Sequence, residues 1–347
     1  HSDQAAGVNA EALLDMVHRL AVELQPQRQR TIRVTLDSVL DRDLGFDSLS
    51  RVEVLRRIER AFAVSLPEQV LASVETPRDL VRAVSTAHVT GRPGAQAKVR
   101  ATVAAPGEAE GAPATAETLL ETLDWHVLTH PQRPHVYLYG EADEPEEISY
   151  AALLDGAKET AAGLREHGLQ PGQNVAIMLP TSRDYLYSFF GVLLAGGVPV
   201  PIYPPARPSQ IEDHLRRHAR ILDNARAVLL ITVPEAQPVA RLLKAQVQDL
   251  RSIVTPQELA TGNVYSRHGV RARDVAFLQY TSGSTGQPKG VILTQADLMA
   301  NIRAMGEAVR ADSTDVFVSW LPLYHDMGLI GAWLGSLYYA CPLVLMS

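Results

Sequence analysis

Apolar residues recur at helical spacing through the first quarter of the chain. Two such sets each share one helical face: Leu13, Val17, Leu20 and Leu24, then Leu49, Val52, Leu55, Ile58 and Phe62. Farther on, Thr76 precedes Pro77 and Asp79, which indicates a helix with a capping threonine, a proline at its first position and an acid in its first turn. The pattern predicts a small all-α bundle of three or four helices over residues 9–87.

The helical pattern ends after residue 87. Residues 88–115 consist largely of Ala, Gly and Pro, with few large apolar side chains. Such a segment buries too little surface to offset the entropy of ordering it. We therefore predict a flexible linker over 88–115 and a second domain over 116–347.

In this second domain, short apolar runs alternate with longer amphipathic segments. The predicted strands are Val175–Leu179, Val198–Tyr203, Ala227–Thr232, Val275–Tyr280, Val291–Thr294, Val316–Leu321 and Leu343–Met346. The predicted helices among them include Tyr150–His167, Ile211–Asn224 and Asp297–Val309. This alternation predicts an α/β domain with a doubly wound sheet and right-handed crossovers.

A faint internal repeat lies within the α/β domain. The segment GVLLAGGVPVPI, which begins at Gly191, is similar to GSLYYACPLVLM, which begins at Gly335. Both read as a buried helix, a tight turn and a buried strand, so we expect two related sheet subdomains. The second segment ends the chain without a capping element, and we expect a longer, truncated domain.

Two uncharged runs are about as long as a membrane-spanning helix requires, Tyr185–Tyr203 and Met327–Ser347. Gly196, Gly197 and two prolines interrupt the first, and Pro342 interrupts the second. Both therefore fit buried helix–turn–strand units better than membrane spans. We expect no membrane span.

Charge and cysteine content exclude several classes of protein. The chain has 32 basic and 39 acidic residues, a net charge of −7, which argues against electrostatic binding to nucleic acid. Its one cysteine, Cys341, excludes an internal disulfide framework and lies in an apolar run typical of a core residue. With no signal peptide at the N-terminus, a reducing cytoplasmic location fits best.

No metal site is predicted. His214 and His218 share a helical face at a spacing that two ligands could use, but basic neighbours disfavour a cation and no third ligand is evident. The acidic residues around Pro145, among them Glu146 and Glu147, are interpreted as a polar loop.

The most informative stretch for chemistry is YTSGSTGQPKG, from Tyr280 to Gly290. Its small residues leave backbone amides free to surround an anion, its hydroxyls add donors, and Lys289 adds charge. This combination suits a polyphosphate. It is neither a Walker A loop, because Pro288 precedes the lysine, nor a nucleophile elbow, because Ser282 replaces the first glycine.

This stretch resembles the signature phosphate loop of the adenylate-forming superfamily. The resemblance implies an α/β adenylate-forming fold and ATP as a substrate, with Mg²⁺. It also implies which residues hold the β- and γ-phosphates: Thr281, Ser282, Gly283, Ser284, Thr285, Gly286 and Lys289. Lys289 is in addition a candidate catalytic residue, since it neutralises charge during adenylation.

A second motif, LPLYHDMG from Leu321 to Gly328, is similar to the superfamily motif whose histidine borders the carboxylate pocket. It implies that His325 lies near the reacting carboxylate and the α-phosphate; a structural histidine at a helix start is the alternative. This motif and GVPVPIYPPARP resemble the fatty acyl-AMP ligase branch. The chain departs from many relatives at Gln295, where they place a histidine.

In the N-terminal bundle, DLGFDSL over residues 43–49 places Ser48 at the start of an amphipathic helix. Simple helix capping is one interpretation. The heptapeptide also resembles the attachment motif of acyl carrier proteins, which implies that Ser48 carries 4′-phosphopantetheine and that a phosphopantetheinyl transferase is a partner. A helix N-terminus favours the negative charge that this attachment adds.

Together the resemblances imply activation of a fatty acid by ATP and its transfer to a carrier thiol, within a lipopeptide or polyketide type of assembly with carrier or downstream synthase modules as partners. An acyl-CoA ligase fused to a carrier, and a non-catalytic docking module, remain alternatives. The apolar helix around Phe189 and Phe190 is interpreted either as the wall of an acyl tunnel or as ordinary core.

Overall fold

The computed structural model describes residues 10–24, 32–46, 48–62, 64, 66, 74–86, 109, 112–140, 144–203, 211–262, 265–281 and 289–346. These residues form two compact units, one within residues 1–102 and the other within 103–346. The first unit has one apolar core and the second has two.

The first unit is built from helices, with α1 at Ala10–Leu24, α2 at Ser48–Phe62 and α3 at Pro77–Thr86. Its core includes Leu13, Val17, Leu20, Leu40, Leu44, Phe46, Val54, Leu55, Ile58 and Leu80. The predicted helical bundle is confirmed over these residues. Three predicted core side chains, Leu24, Leu49 and Val52, lie outside the described side chains.

The start of α3 holds the segment that precedes α2. Thr76 caps the helix as predicted: its hydroxyl donates to Asp79 Oδ2 at 2.8 Å, and the amide of Asp79 donates back at 3.4 Å. The amide of Arg78 donates to the carbonyl of Leu36 at 2.9 Å. The guanidinium of Arg78 also donates to both carboxylate oxygens of Asp37, at 2.8 and 2.9 Å.

The second unit alternates strands and helices. Its strands are β1 Pro134–Tyr139, β2 Glu146–Ser149, β3 Asn174–Met178, β4 Val198–Pro201, β5 Ala227–Thr232, β6 Ser252–Val254, β7 Val275–Thr281, β8 Lys289–Thr294, β9 Phe317–Ser319 and β10 Leu343–Met346. Its α-helices are α4 Leu119–Thr129, α5 Tyr150–Glu166, α6 Arg183–Leu194, α7 Ile211–Asn224, α8 Gln237–Lys244, α9 Pro256–Leu259, α10 Gln295–Val309 and α11 Gly335–Tyr338. A 3₁₀ turn spans Pro234–Ala236 and a π-helix spans Met327–Leu334.

These strands form two four-stranded sheets and a hairpin. One sheet has the order β2-β1-β10-β9 and the other β4-β3-β5-β6. Every pair is parallel except β1–β2. Strands β7 and β8 pair antiparallel with each other.

The second sheet is covered on both faces. Successive side chains of β3 enter different cores: Val175 and Ile177 pack with α5 and α6, whereas Ala176 and Met178 pack with α7. Side chains that alternate between two apolar environments produce the continuous apolar run seen in the sequence. The predicted doubly wound α/β fold is confirmed.

All seven predicted strands are present, with ends that differ by two residues or fewer. Strands β1, β2 and β6 were not predicted. The interpretation of Glu146 and Glu147 as a polar loop is wrong, because both lie in β2, where only Ile148 is buried and pairing with β1 fixes the strand. The antiparallel hairpin was also not predicted; the seven residues 282–288 are too few for a parallel crossover.

The two copies of the internal repeat share one feature of the backbone: α6 and α11 end in the same conformation at equivalent positions. After α6, Gly196 has φ +82° and the amide of Gly197 donates to the carbonyl of Val192 at 2.8 Å. After α11, Ala340 has φ +55° and the amide of Cys341 donates to the carbonyl of Ser336 at 3.0 Å. Both ends are the left-handed cap that turns a chain from a helix into a strand.

The end of the predicted linker contacts the second unit. The amide of Ala109 donates to Ser313 Oγ at 3.0 Å, and Arg303 donates to the carbonyl of Ala114 at 3.1 Å. The Arg303 guanidinium also lies 5.5 Å from the ring of Tyr338. These contacts hold residues just before α4 against α10.

Among the described helices, none is long and apolar enough to cross a membrane. The two uncharged runs instead contain α6 followed by β4, and the π-helix followed by α11 and β10.

A buried aromatic stack lies between α4, β1 and α5. His126 and His135 both stack on Tyr150, with ring centroids 4.4 and 4.9 Å from that of the tyrosine. Trp333 donates its indole N–H to His135 Nε2 at 3.1 Å. Burial lowers the pKa of both His126 and His135 to about 3, with nearby His130 adding to the effect on His126.

These two histidines predict that the second unit loses stability in mild acid. The folded state keeps both rings neutral, whereas the unfolded chain protonates them below pH about 6.5, so stability falls as pH drops from there toward 3. Each ring contributes a slope of about 1.4 kcal/mol per pH unit. Urea unfolding followed by tryptophan fluorescence measures this slope, because all three tryptophans lie in the second unit.

The variant His135→Gln is the control for this prediction. Glutamine cannot titrate but offers an oxygen to the Trp333 indole, so we expect it to reduce the slope by about half. An unchanged slope would contradict the assignment of a neutral, buried ring at this position.

Candidate functional site

The candidate site lies where several strands end at their carboxyl edges. Thr181 follows β3, Tyr203 follows β4, Thr281 ends β7, and the segment 320–326 follows β9. Ligand sites of α/β sheets form at this edge because the loops there vary without disturbing the sheet. The geometry of this edge therefore decides which of the site residues predicted from the sequence lie close together.

The β7–β8 hairpin positions the two described ends of the predicted phosphate loop. Thr281 pairs with Lys289 across the hairpin, and both residues are exposed. Next to them, Tyr280 pairs with Gly290, where a Cβ atom would lie 2.9 Å from the tyrosine ring. The other predicted loop residues, Ser282, Gly283, Ser284, Thr285 and Gly286, lie outside the described residues.

Tyr280 anchors this hairpin to the neighbouring helix. Its hydroxyl donates to Asn224 Oδ1, at the end of α7, at 2.6 Å. Burial raises the pKa of Tyr280, which keeps the hydroxyl protonated as a donor. Thr281 and Lys289 are thus held at the end of the hairpin where β7 and β8 are connected.

The segment that carries His325 is held by three buried side chains. The carbonyl of Leu323 accepts from the hydroxyl of Tyr185 at 2.7 Å, and the carbonyl of Tyr324 accepts from Gln279 Nε2 at 3.0 Å. The amide of Leu323 donates to Thr181 Oγ1 at 3.5 Å. Burial raises the pKa of Tyr185 far above its usual range, so its hydroxyl remains a donor.

His325 itself is half-buried at the start of the π-helical segment. Its amide donates to the carbonyl of Pro322 at 3.1 Å, and its carbonyl accepts from Leu329 at 2.8 Å. Asp326 caps the helix by accepting from the amide of Met327 at 2.8 Å. The backbone on both sides of His325 is therefore hydrogen-bonded, which fixes the position of its Cα atom.

Aromatic rings line the same region. The ring centroid of Tyr324 lies 5.1 Å from that of His325 and 6.0 Å from that of Tyr203. Tyr203 in turn lies 4.8 Å from His218, which is buried on α7. His218, which the sequence pattern offered only as a metal ligand, lies beside Tyr203.

Sequence reasoning missed Thr181, Tyr185, Tyr203 and Gln279. Thr181 and Tyr203 follow β3 and β4, Gln279 lies near the end of β7, and Tyr185 lies in the first turn of α6, the helix that follows β3. The signal that could have found them is a polar or aromatic residue beside the carboxyl end of a predicted strand.

Gln295, where the sequence departs from many relatives, has a structural role. It is fully buried at the start of α10, and its Oε1 accepts from the amide of Leu119 at 2.9 Å. It thereby satisfies a backbone donor at the start of α4.

Phe189 and Phe190 belong to the core. Phe189 lies 5.8 Å from Phe277 and 5.5 Å from Trp333, and Phe190 lies 5.5 Å from Trp333, as ring centroids. All four side chains are fully buried. Of the two interpretations offered for these residues, the packing supports core.

Cys341 is also a core residue, as predicted. Its thiol is buried and donates to the carbonyl of Asp312 at 3.1 Å. Burial raises the pKa of this thiol to about 12, so it is not a reactive thiolate near neutral pH.

Across the described residues, no group of three or more His, Cys, Asp or Glu side chains is placed to hold a metal ion. A magnesium ion that arrives with a nucleotide takes most of its ligands from phosphates and water. Such an ion needs no dedicated protein cage.

In the first unit, α2 begins at Ser48. The segment before it is anchored by Leu44 and Phe46, each 1% exposed. Asp43 Oδ2 accepts from the amide of Val39 at 2.8 Å, and Arg42 lowers the pKa of Asp43 by hydrogen bonding. Leu44 and Phe46 thereby hold the described segment that ends two residues before the start of α2.

Two segments of the chain match known families. Residues 123–347 match the family described as AMP-binding enzyme, which covers more than half of the chain. Residues 28–84 match the family described as phosphopantetheine attachment site. Both matches contain the motifs from which the resemblance was inferred.

Curated relatives are fatty acid ligases. The chain is 36% identical over 186 residues to long-chain-fatty-acid–AMP ligase FadD32 of Mycobacterium marinum, covering 52% of this chain and 29% of that protein. It is 29% identical over 273 residues to medium-chain-fatty-acid–acyl-carrier-protein ligase TtuA of Teredinibacter turnerae, covering 62% and 42%. The chain therefore spans less than half the length of these relatives.

Solved structures show the same similarity. A fatty acyl-adenylate ligase from L. pneumophila, in complex with acyl adenylate and pyrophosphate, matches with a TM-score of 0.59 and 28% identity, covering 68% of this chain and 40% of that one. The McyG A-PCP structure with phenylalanyl-adenylate matches at 0.61 with 20% identity, covering 66% and 36%, and shares the fold. The resemblance to fatty acyl-AMP ligases is confirmed.

The close approach at Gly328 generates a prediction for this site. A Cβ atom at Gly328 would lie 2.3 Å from the carbonyl oxygen of Pro322 and 2.8 Å from that of Leu321. We expect Gly328→Ala to lower the free energy of unfolding by about 1–3 kcal/mol, because backbone atoms cannot rotate away. Urea unfolding of the second unit measures this change.

Gly331 provides a matched control. In the same helical segment, a Cβ at Gly331 meets only Met327 Sδ at 3.5 Å, an ordinary contact. Gly331→Ala should be neutral or stabilising by up to about 1 kcal/mol. Equal losses in the two variants would contradict the role of the 321–322 carbonyls.

Proposed function

The chain belongs to the AMP-binding enzyme family, and from this premise we propose that it activates a fatty acid with ATP and passes the acyl group to a carrier thiol. In this proposal residues 9–87 are the carrier domain, 88–115 a linker whose last residues contact the second unit, and 116–347 the N-terminal part of the ligase domain. The observation that carries the proposal is the hydrogen bond from Gln279, on the strand leading into the phosphate loop, to the segment of His325.

The first step joins two anions. A carboxylate oxygen of the fatty acid bonds to the α-phosphorus of ATP, and the bond from that phosphorus to the β-phosphate oxygen breaks, releasing pyrophosphate. Residues Thr281 to Gly286 and Lys289 would hold the β- and γ-phosphates, and His325 would border the reacting carboxylate. The protein contributes mainly by positioning the reactants and neutralising charge.

Mg²⁺ would supply further neutralisation of the phosphates when bound with ATP. The exposed position of Lys289, at the end of the hairpin where β7 and β8 are connected, supports a polyphosphate in this place. No protein carboxylate is assigned to the ion.

In the second step the sulfur of a thiol acceptor would bond to the acyl carbonyl carbon, the bond from that carbon to the AMP phosphate oxygen would break, and AMP would leave as the thiol loses its proton. We propose that a phosphopantetheinyl transferase attaches 4′-phosphopantetheine to Ser48, and the bound group supplies that thiol. The position of Ser48 at the N-terminus of α2 supports this, because the helix dipole stabilises the phosphodiester charge. The acceptor is this carrier or one in another module.

Partners and location follow from this chemistry. Carrier or downstream synthase modules of a polyketide or nonribosomal peptide system would accept the activated chain. TtuA, a relative, is named as a ligase acting on an acyl carrier protein. A single buried cysteine fits a reducing cytoplasmic location.

Lys289 and His325 provide the test of adenylation. Fatty-acid-dependent exchange of radioactive pyrophosphate into ATP would be measured on this chain and on the chain extended to the length of its relatives. We expect Lys289→Ala to lower the exchange rate by about 10²–10³-fold, through lost charge stabilisation. His325→Ala should lower it by about 10–100-fold, through lost positioning.

Lys158→Ala is the matched control, because Lys158 pairs with Asp155 on the surface of α5, away from the site. It should leave the exchange rate unchanged. No exchange by the extended protein with any chain length would favour a non-catalytic docking module. Efficient transfer to coenzyme A in competition with a carrier would favour an acyl-CoA ligase.

Ser48 provides a separate test of the carrier domain. After treatment with a phosphopantetheinyl transferase and coenzyme A, intact-protein mass spectrometry should show one added phosphopantetheine on the wild-type chain and none on Ser48→Ala. Addition of ATP, Mg²⁺ and fatty acids to the extended protein then shows whether this carrier is loaded.

Ser50→Ala is the control for this experiment. Ser50 lies two residues later in α2 and is 7% exposed, so its loss should not prevent the modification. A mass shift that persists in Ser48→Ala would place the attachment elsewhere. No shift in the wild type would contradict the carrier assignment.

A further inference from the structure

Gln279 lies between the core and the candidate site on a single face of β7. Side chains alternate along a strand, so Phe277, Gln279 and Thr281 project from the same face. Phe277 is fully buried against Phe189, whereas Thr281 is exposed at the start of the phosphate loop. Gln279 is 6% exposed and is therefore the last buried residue before the site.

The amide of Gln279 makes one hydrogen bond and leaves one group unsatisfied. Its Nε2 donates to the carbonyl of Tyr324 at 3.0 Å, while its Oε1 is buried and has no hydrogen-bond partner among the described residues. The orientation follows from chemistry, since only the amide nitrogen can donate to a carbonyl oxygen. An unsatisfied buried oxygen destabilises the folded state, so packing alone does not account for a glutamine at this position.

The hydrogen bond reaches the residue directly before His325. The preceding carbonyl, of Leu323, is already held by Tyr185 from α6. The additional hydrogen bond from Gln279 therefore joins the segment of His325 to a different element, β7. This strand ends at Thr281, two residues after Gln279. The hydrogen bond is a direct link between the two halves of the candidate site.

We propose that Gln279 is a positioning residue, which sets the position of His325 relative to Thr281 and Lys289 on β7 and β8, at the expense of local stability. This inference rests on the proposed adenylation function. Gln279 acts through Tyr324 and is not assigned a contact with substrate.

The variant Gln279→Met separates positioning from packing. Methionine has nearly the same shape but cannot donate to Tyr324, so it removes one unsatisfied oxygen, Gln279 Oε1, and at the same time takes this donor away from the carbonyl of Tyr324. We expect the extended ligase with this change to unfold within a few degrees of the wild type. Its kcat for pyrophosphate exchange should nevertheless fall by about 10–100-fold, with a KM for ATP within about threefold of the wild type.

The variant Gln279→Glu adds a pH signature. An ionised glutamate cannot donate to the carbonyl of Tyr324, whereas a protonated one can, and burial favours the protonated form. The exchange rate relative to wild type should therefore rise as pH is lowered from about 8 to about 6. Loss of a purely structural side chain would not make the relative exchange rate rise as the pH is lowered.

Ser336→Ala is the control for loss of a buried hydrogen bond. Ser336 is 2% exposed and donates to the carbonyl of Trp333 at 2.9 Å, outside the candidate site. It should leave kcat unchanged even if it lowers the unfolding temperature. A kcat of Gln279→Met equal to that of Ser336→Ala, or a relative rate of Gln279→Glu that is constant with pH, would overturn the proposal.

A binding-independent measurement keeps this inference separate from the proposed function. In this chain without substrates, the imidazole NMR signals of His325, assigned by their loss in His325→Asn, should shift in Gln279→Met and not in Ser336→Ala. Unmoved signals would overturn the positioning role even where exchange activity is present. Shifted signals with no exchange by the wild type would support the positioning role and contradict the adenylation function.

Discussion

The contact on which the second unit depends is the packing of α6 against β7 and the π-helical segment. Phe189 and Phe190 on α6 meet Phe277 on β7 and Trp333 after His325, with all four rings buried. Rings of this size dominate the energetics of a core, and their edge-to-face geometry restricts how the elements can shift. One aromatic cluster thus fixes both elements that carry the candidate chemistry.

The aromatic core sets the approximate position of the segment that carries His325, and buried hydrogen bonds then fix that position more closely. Tyr185, Gln279 and Thr181 each bond to the backbone of residues 323–324, and they come from three different parts of the chain. Buried hydrogen bonds of this kind add little net stability, but an incorrect arrangement leaves a group unsatisfied. They therefore select one position for the segment of His325, and the unsatisfied Gln279 Oε1 shows that the selection has a cost.

In both four-stranded sheets, a helix with the same left-handed C-terminal cap leads into a buried strand. The left-handed caps at Gly196 and Ala340 each turn a helix directly into a buried strand. Glycine adopts this conformation without penalty, whereas alanine is strained by about 1–2 kcal/mol and is retained here in a fully packed position. The repeat is thus preserved in backbone geometry more clearly than in residue identity.

Periodicity and local chemistry were sufficient to predict the helices of the first unit, the seven apolar strands and the threonine cap at Thr76, because these depend on neighbours in sequence. The motifs around Lys289 and His325 likewise indicated the phosphate loop and the family. Only the tertiary structure decided the pairing of β2, whose polar sequence becomes a strand through β1, and the antiparallel hairpin. It alone brought Gln279 to Tyr324, because a contact between residues 45 positions apart depends on how the sheets pack.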